Sequence, residues 1–239
     1  MSRWRPGCQF FCVKEDGGKR LKEIFLIRHG RQSSKLCNVD VSLDEKGRKQ
    51  AELLAKRLSG YGMEKLYASD LKRAKETADI IGRELVLPVE IIPEFREIDF
   101  GEMTGKEDTR KEYAAFWEER AEQTSDLAYP GGENGEDVVR RVLPRLRQIC
   151  EEPEVRVAIV AHGGVIRAVC AYLLGTDLKN KLKFAIDLEN TSITQLNFDE
   201  KRTMFYLERF NDFAHLEPYP ELLRNGWNPS SLREPPAHA

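Results

Sequence analysis

Two short strings stand out for the chemistry their residue types allow. Ile24-Phe25-Leu26-Ile27 runs straight into Arg28-His29-Gly30-Arg31-Gln32, and the apolar stretch from Val155 to Ala161 runs into His162-Gly163-Gly164. Apolar residues on consecutive positions mark a strand covered on both faces. A glycine directly after the polar group lets the chain turn away at once. Each histidine therefore stands at the carboxyl end of a buried strand, which is where open α/β sheets bind ligands. Arginine beside histidine suits phosphate, because the guanidinium offers a rigid donor fork and a neutral imidazole offers a nucleophilic nitrogen near pH 7. One Arg-His pair closing a strand is weak evidence, since such pairs commonly cap a surface. Two histidines ending two separate strands can meet above one sheet edge. Gly163 and Gly164 open a helix, so their amides are placed to assist an anion. A zinc site built on His29 and His162 is the competing chemistry, and it would make activity sensitive to EDTA.

The elements that must position these groups follow from periodicity. Asp44 begins a helical pattern with Ala51, Leu54, Ala55 and Leu58 on one face, ended by Gly60 and Gly62. Lys65 to Ala68 reads as a short strand, with Ser69 and Asp70 as caps of a helix whose stripe is Leu71, Ala74, Ala78 and Ile81. Val89 to Ile92 is a third strand, and Phe95 to Gly101 is a loop mixing charges with aromatics. Thr109 to Glu122 is helical and charged; its Tyr113, Phe116 and Trp117 fit core packing better than substrate contact. Tyr129-Pro130-Gly131-Gly132 is a turn, and Glu136 to Cys150 is an amphipathic helix interrupted or bent near Pro144. After the second histidine come a helix from Val165 to Leu174 and two β-rich runs, Thr191 to Phe198 and Met204 to Phe210, which pair as an edge hairpin. Alternating strands and helices imply a three-layer α/β/α sandwich around a mostly parallel sheet, made mixed by that hairpin.

Composition bounds the rest. A chain of 239 residues accommodates one α/β domain with a sizeable core. The expected organisation is a leader over 1–22, one domain over 23–215, and an arm over 216–239 lying on the surface, with Tyr219 and Trp227 as its large anchors. The net charge of −2 argues against non-specific nucleic-acid binding. The run Phe10 to Val13 is too short for a signal-peptide core, and no stretch reaches transmembrane length. Five scattered cysteines fit a reduced, cytoplasmic setting, and Cys8 and Cys12 lack the nearby second pair that a metal site would need.

Taken together, these strings resemble the histidine phosphatase superfamily, also called phosphoglycerate mutase-like. Leu26-Ile27-Arg28-His29-Gly30 matches its signature, and Leu43 to Ala51 is similar to its first helix. Ser69-Asp70-Leu71-Lys72-Arg73-Ala74 resembles its second arginine motif, and Phe95 to Gly105 its acid-bearing loop. Gly131-Gly132-Glu133 and Ala161 to Arg167 resemble its Gly-Gly-Glu turn and second histidine motif. The resemblance implies that His29 becomes phosphohistidine, that Arg28, Arg73, His162 and Gly163 surround the phosphoryl group, and that Glu97 donates the proton, with Asp99 as local competitor. It implies a phosphatase acting on a small phosphorylated metabolite without metal or other cofactor. The alternatives are a mutase-type phosphotransferase, whose longer Arg- and Tyr-bearing insertion is not found here, and a phosphoester-binding or phosphoprotein-directed module. Arg31 and Gln32 depart from the family pattern. Arg31 either faces the pocket as a specificity cation or points to solvent, paired with an acid such as Asp40. The loop from Ser33 to Asp40 lacks the family's usual asparagine at its customary place, so no role is carried onto Asn38.

Overall fold

The apolar run at Ile24 becomes an interior strand, β1 (Lys22–Arg28), whose side chains alternate between two cores. Ile24 and Leu26 enter one core and Phe25 and Ile27 the other, as the two-residue period of a strand requires. The computed structural model describes residues 21–224. The leader through residue 20, with Cys8 and Cys12, and the tail from residue 225, with Trp227, lie outside the described residues. After β1 come α1 (Glu45–Leu58), β2 (Lys65–Ala68), α2 (Lys72–Leu85), β3 (Val89–Ile91), α3 (Thr109–Glu112), α4 (Ala114–Glu122) and α5 (Gly135–Glu151). They are followed by β4 (Arg156–Ala161), α6 (Gly163–Leu173), β5 (Ile193–Asp199) and β6 (Met204–Asp212).

The six strands form one sheet in the order β3-β2-β4-β1-β5-β6. β3, β2, β4 and β1 are parallel, and the β5-β6 hairpin runs antiparallel on the β1 side. Leu54, Leu58, Ala74, Ala78 and Ile81 of α1 and α2 cover the face carrying Phe25 and Ile27. Val138, Val142 and Ile149 of α5 and Val165, Ile166 and Val169 of α6 cover the other. The result is the expected three-layer α/β/α sandwich with a mostly parallel mixed sheet. Burying a Leu or Ile side chain is worth about 1.5–3 kcal/mol, so these two stripes hold the sheet between the helical layers.

Register explains why the chemistry gathers at one place. Arg28 pairs with Ala161, and Ala68 with Val160, so β1, β4 and β2 end side by side. His29, His162 and Ser69 are the residues that leave those ends.

Several local expectations need correction. Neither Ser69 nor Asp70 caps α2: its N-cap is Leu71, which makes no side-chain bond, while Ser69 meets His162 and Asp70 forms an ion pair with Arg96 at 2.7 Å. α1 does end where expected, at Leu58 with Ser59 as its C-cap, directly before Gly60. The charged stretch after Thr109 breaks into α3 and α4 at Tyr113, whose φ of −122° leaves the helical region. Its Phe116 and Trp117 pack against the α5 and α6 core. α5 runs through Pro144, its start fixed by a reciprocal Asn134–Asp137 capping box. Tyr219 is exposed; Leu216, Leu222 and Leu223 anchor the last described segment instead, packing with Leu53 of α1.

Candidate active site

His29 is held from several sides. Its Nδ1 lies 2.7 Å from the Gly30 carbonyl, which makes Nδ1 the protonated nitrogen and leaves Nε2 unprotonated. Asn190 Nδ2 donates to the His29 carbonyl at 2.8 Å, and Gly30 N–H donates to Thr77 Oγ1 at 3.0 Å. Gly30 packs so tightly on α1 that a Cβ there would sit 2.6 Å from the Gly47 carbonyl oxygen.

Around Nε2 the field is positive. Arg73 Nε donates to His29 Nε2 at 3.2 Å, while its two terminal nitrogens are fixed by the Val39 carbonyl at 2.8 Å and Asn38 Oδ1 at 3.0 Å. The His162 ring lies 5.0 Å from the His29 ring, centroid to centroid, and its Nε2 contacts Ser69 Oγ at 2.5 Å. Arg28 donates through one terminal nitrogen to the Leu188 carbonyl; its buried Nε, like the buried Nδ1 of His162, has no partner among the described residues. Unpaired buried donors are costly unless a ligand takes them.

Burial pushes both imidazoles well below the ordinary histidine range, with Arg73 and Arg28 adding to the effect on His29, and His29, Arg73 and Arg28 on His162. Both are neutral at pH 7. Burial, reinforced by Arg224, also draws Arg28 down to about 9. Glu97 and Glu189 oppose that depression only in part.

Glu97 sits at the N-terminus of α6. Its Oε1 accepts from the amides of Gly164 at 3.0 Å, Val165 at 3.3 Å and its own neighbour Ile98 at 3.0 Å. An acid at a helix start is favoured by the exposed amides and the dipole. Gly164 makes the seat possible, since a Cβ there would stand 2.6 Å from Glu97 Oε1. Arg141 braces the loop behind, donating to Glu133 at 2.8 and 2.9 Å and to the Glu97 carbonyl at 3.3 Å. Asp99, the competitor, faces solvent, and its carboxylate is spent on the Gly101 amide at 2.8 Å. Glu97, Arg28, Gly163 and Gly164 line one pocket of about 190 Å³, shared with Arg167, Lys181 and Arg224.

The profile of the histidine phosphatase superfamily (branch 1) matches residues 24–212. The chain belongs to this superfamily. It is 33% identical to a metal-independent phosphoserine phosphatase from Arabidopsis thaliana, over 81% of this chain and 83% of that one. It is 31% identical to phosphoserine phosphatase 1 from Hydrogenobacter thermophilus, over 81% of this chain and 94% of that one. Among solved structures, the native mycobacterial glucosyl-3-phosphoglycerate phosphatase superposes with a TM-score of 0.72 at 28% identity, covering 81% of this chain and all of that one.

In this superfamily member, Arg28, His29, Arg73, Glu97, His162 and Gly163 come together; Arg31 and Gln32 do not join them. The Arg31 guanidinium forms an ion pair with Asp44, the N-cap of α1, at 2.9 Å, and its N–H donates to Gln50 Oε1 at 2.8 Å. Asp40, the acid expected beside Arg31, instead accepts from the Lys72 amide at 2.7 Å. Gln32 forms a β-bridge to Leu43 and donates to the Ser34 carbonyl at 2.9 Å, closing the base of its loop. The residues that sequence reasoning misses are Asn38, Ser69, Thr77 and Asn190, which fix Arg73, His162, Gly30 and His29 respectively. Asn38 takes a left-handed backbone with φ of 46°, which Asn tolerates well; that preference is the one local signal it offers.

Among the described residues no group of three or more His, Cys, Asp or Glu side chains is placed to hold a metal ion. The donor set around His29 and His162 is poorly suited to zinc, because the fixed positive charge of the Arg73 guanidinium, 3.2 Å from His29 Nε2, repels a cation. No helix among the described residues is long and apolar enough to cross a membrane.

Proposed function

We propose that this protein is a phosphomonoesterase that hydrolyses a small phosphorylated metabolite through a phosphohistidine at His29. The observation that carries the reading is a neutral imidazole, oriented by Gly30, whose unprotonated Nε2 faces a fixed guanidinium donor. Phosphoryl transfer asks mainly for positioning and for positive donors around the equatorial oxygens. Arg73 and Arg28 supply that positive charge and neutral His162 adds a ring nitrogen beside it, each already anchored by carbonyls or a hydroxyl.

In the first step the His29 Nε2 lone pair forms a bond to phosphorus as the ester P–O bond breaks. Glu97 gives its proton to the leaving oxygen. In the second step Glu97, now a carboxylate, takes a proton from water as the water oxygen attacks phosphorus and the P–N bond breaks. Phosphate leaves and His29 is restored. Splitting the displacement in two lets one carboxyl act first as acid and then as base. No step asks for a metal, since arginines provide the charge stabilisation a metal would otherwise supply.

Purified protein should hydrolyse p-nitrophenyl phosphate at a rate unchanged by EDTA. Absence of hydrolysis, or loss in EDTA with recovery on adding zinc, would overturn the reading.

A further inference from the structure

The pocket beside His29 holds more positive charge than one phosphoryl group uses. Its lining contains Arg28, Arg120, Arg167, Lys181 and Arg224 against a single carboxylate, Glu97. Some of these cations are already engaged. Lys181 forms an ion pair with Asp126, and Arg120 lies 4.5 Å over the Tyr129 ring while donating to the Leu127 carbonyl. Arg167 donates through Nε to the Phe184 carbonyl at 3.0 Å and through one terminal nitrogen to the Ala185 and Ile186 carbonyls, each at 3.2 Å, so carbonyls orient it within the field of Glu97 and Asp187.

Arg224 differs. It is exposed, and among the described residues its guanidinium has no hydrogen-bond or ion-pair partner. Its backbone is nonetheless placed with care. The N–H of Arg224 donates to Glu189 Oε2 at 3.2 Å, Glu189 Oε1 accepts from Asn190 N–H at 2.8 Å, and Asn190 holds the His29 carbonyl. Just before it, Leu222 and Leu223 are buried, and Gln50 Nε2 donates to the Leu222 carbonyl at 2.7 Å. The segment that would otherwise be a surface arm is thus pinned, and it delivers one unpaired guanidinium to the rim of the phosphoryl site.

We propose that Arg224, with Arg167 across the same pocket, binds a second anionic group of the substrate, so that the preferred ester carries a carboxylate or second phosphoryl group close to the one transferred. The role rests on the phosphatase reading and assigns its substrate class. Like charges clustered at Arg28, Arg167 and Arg224 repel one another in the empty site, and a doubly anionic ester relieves that repulsion where a singly anionic one leaves it. Arginine's fork also suits carboxylate or phosphate bidentately. The specificity cation expected two residues after the nucleophile is thereby supplied from the far end of the chain.

The test compares phosphoglycolate and ethane-1,2-diyl bisphosphate with ethyl phosphate, which lacks the second anion. Both kcat/KM and calorimetric dissociation constants are measured for the wild type, Arg224→Gln and Arg224→Lys. The wild type should favour at least one doubly anionic ester over ethyl phosphate by about tenfold or more, and which one distinguishes carboxylate from phosphoryl. In Arg224→Gln that ratio should fall about tenfold through KM, with partial recovery in Arg224→Lys. A purely structural role would lower all substrates in parallel and leave the ratio unmoved. A wild type that does not discriminate, or an unmoved ratio, overturns the assignment. If no ester is hydrolysed the phosphatase reading fails by itself, and the binding ratios still decide the role of Arg224.

Discussion

A nucleophilic imidazole loses its lone pair on protonation, so the surroundings of His29 and His162 decide the pH range over which the site works. Burial and the nearby arginines hold both well below 6.5, and His215, half-buried beside Arg57, lies at about 4. The sign of the linked stability follows directly. Below about 6.5 the unfolded chain binds protons at these histidines while the folded chain does not, so stability falls as pH falls. Each histidine contributes about 1.4 kcal/mol per pH unit in that window, or ~4 kcal/mol per unit for the three together. Carboxylates held below their ordinary range, such as Asp70 and Asp212, add their own loss only at lower pH. Urea unfolding at pH 7.5 and 5.5 should therefore show a loss of several kcal/mol, about 3 or more. Equal stabilities at the two pH values would mean that the histidines are not buried as neutral bases. Legibility at this scale is uneven. Arg28-His29-Gly30 and His162-Gly163-Gly164 announce themselves because strand, polar group and glycine are contiguous. Asn38, Ser69, Thr77 and Asn190 do not, because their partners lie 35, 93, 47 and 161 residues away and only folding brings them together.

At the scale of elements, the N-terminus of α6 carries two jobs: His162 is its N-cap residue and its first amides seat Glu97. Helix α6 is readable from its apolar run, but the seat is not, because Glu97 arrives from a loop more than sixty residues earlier. The arm shows the same limit. Its leucines look unremarkable among prolines, and their burial depends on Leu53 and Gln50 of α1. Gly164→Ala isolates the seat. The added methyl would stand 2.6 Å from both Glu97 Oε1 and Ile98 Cγ2, and overpacking of this kind costs about 1–3 kcal/mol. Displacing the acid should lower kcat about 10²-fold, the smaller end of acid-base contributions, with little change in inorganic phosphate affinity. Unchanged kcat, in a variant whose melting temperature shows the strain, would detach the Glu97 seat from turnover.

For the whole molecule, the charge that matters is distributed rather than net. Lys and Arg number 38 against 40 Asp and Glu, yet the cleft at the carboxyl ends of β1 and β4 is strongly cationic. Such a cleft focuses its field on an anion while the remaining surface keeps the protein near neutrality. The sandwich itself is legible, since consecutive apolar strands and striped helices leave few other arrangements. The direction in which Arg31 points is not, because Asp44 and Gln50 of α1 capture it only once that helix has docked. The proposed chemistry places a covalent intermediate at one atom, His29 Nε2. The most direct measurement mixes wild-type protein with substrate, quenches within milliseconds in alkali to preserve the acid-labile P–N bond, and maps the phosphorylated peptide by mass spectrometry. The account predicts phosphate on His29 in amounts near the enzyme concentration during turnover, and none in His29→Ala, which should also lose turnover. Turnover without a phosphorylated peptide, or phosphate on any residue other than His29, would contradict it.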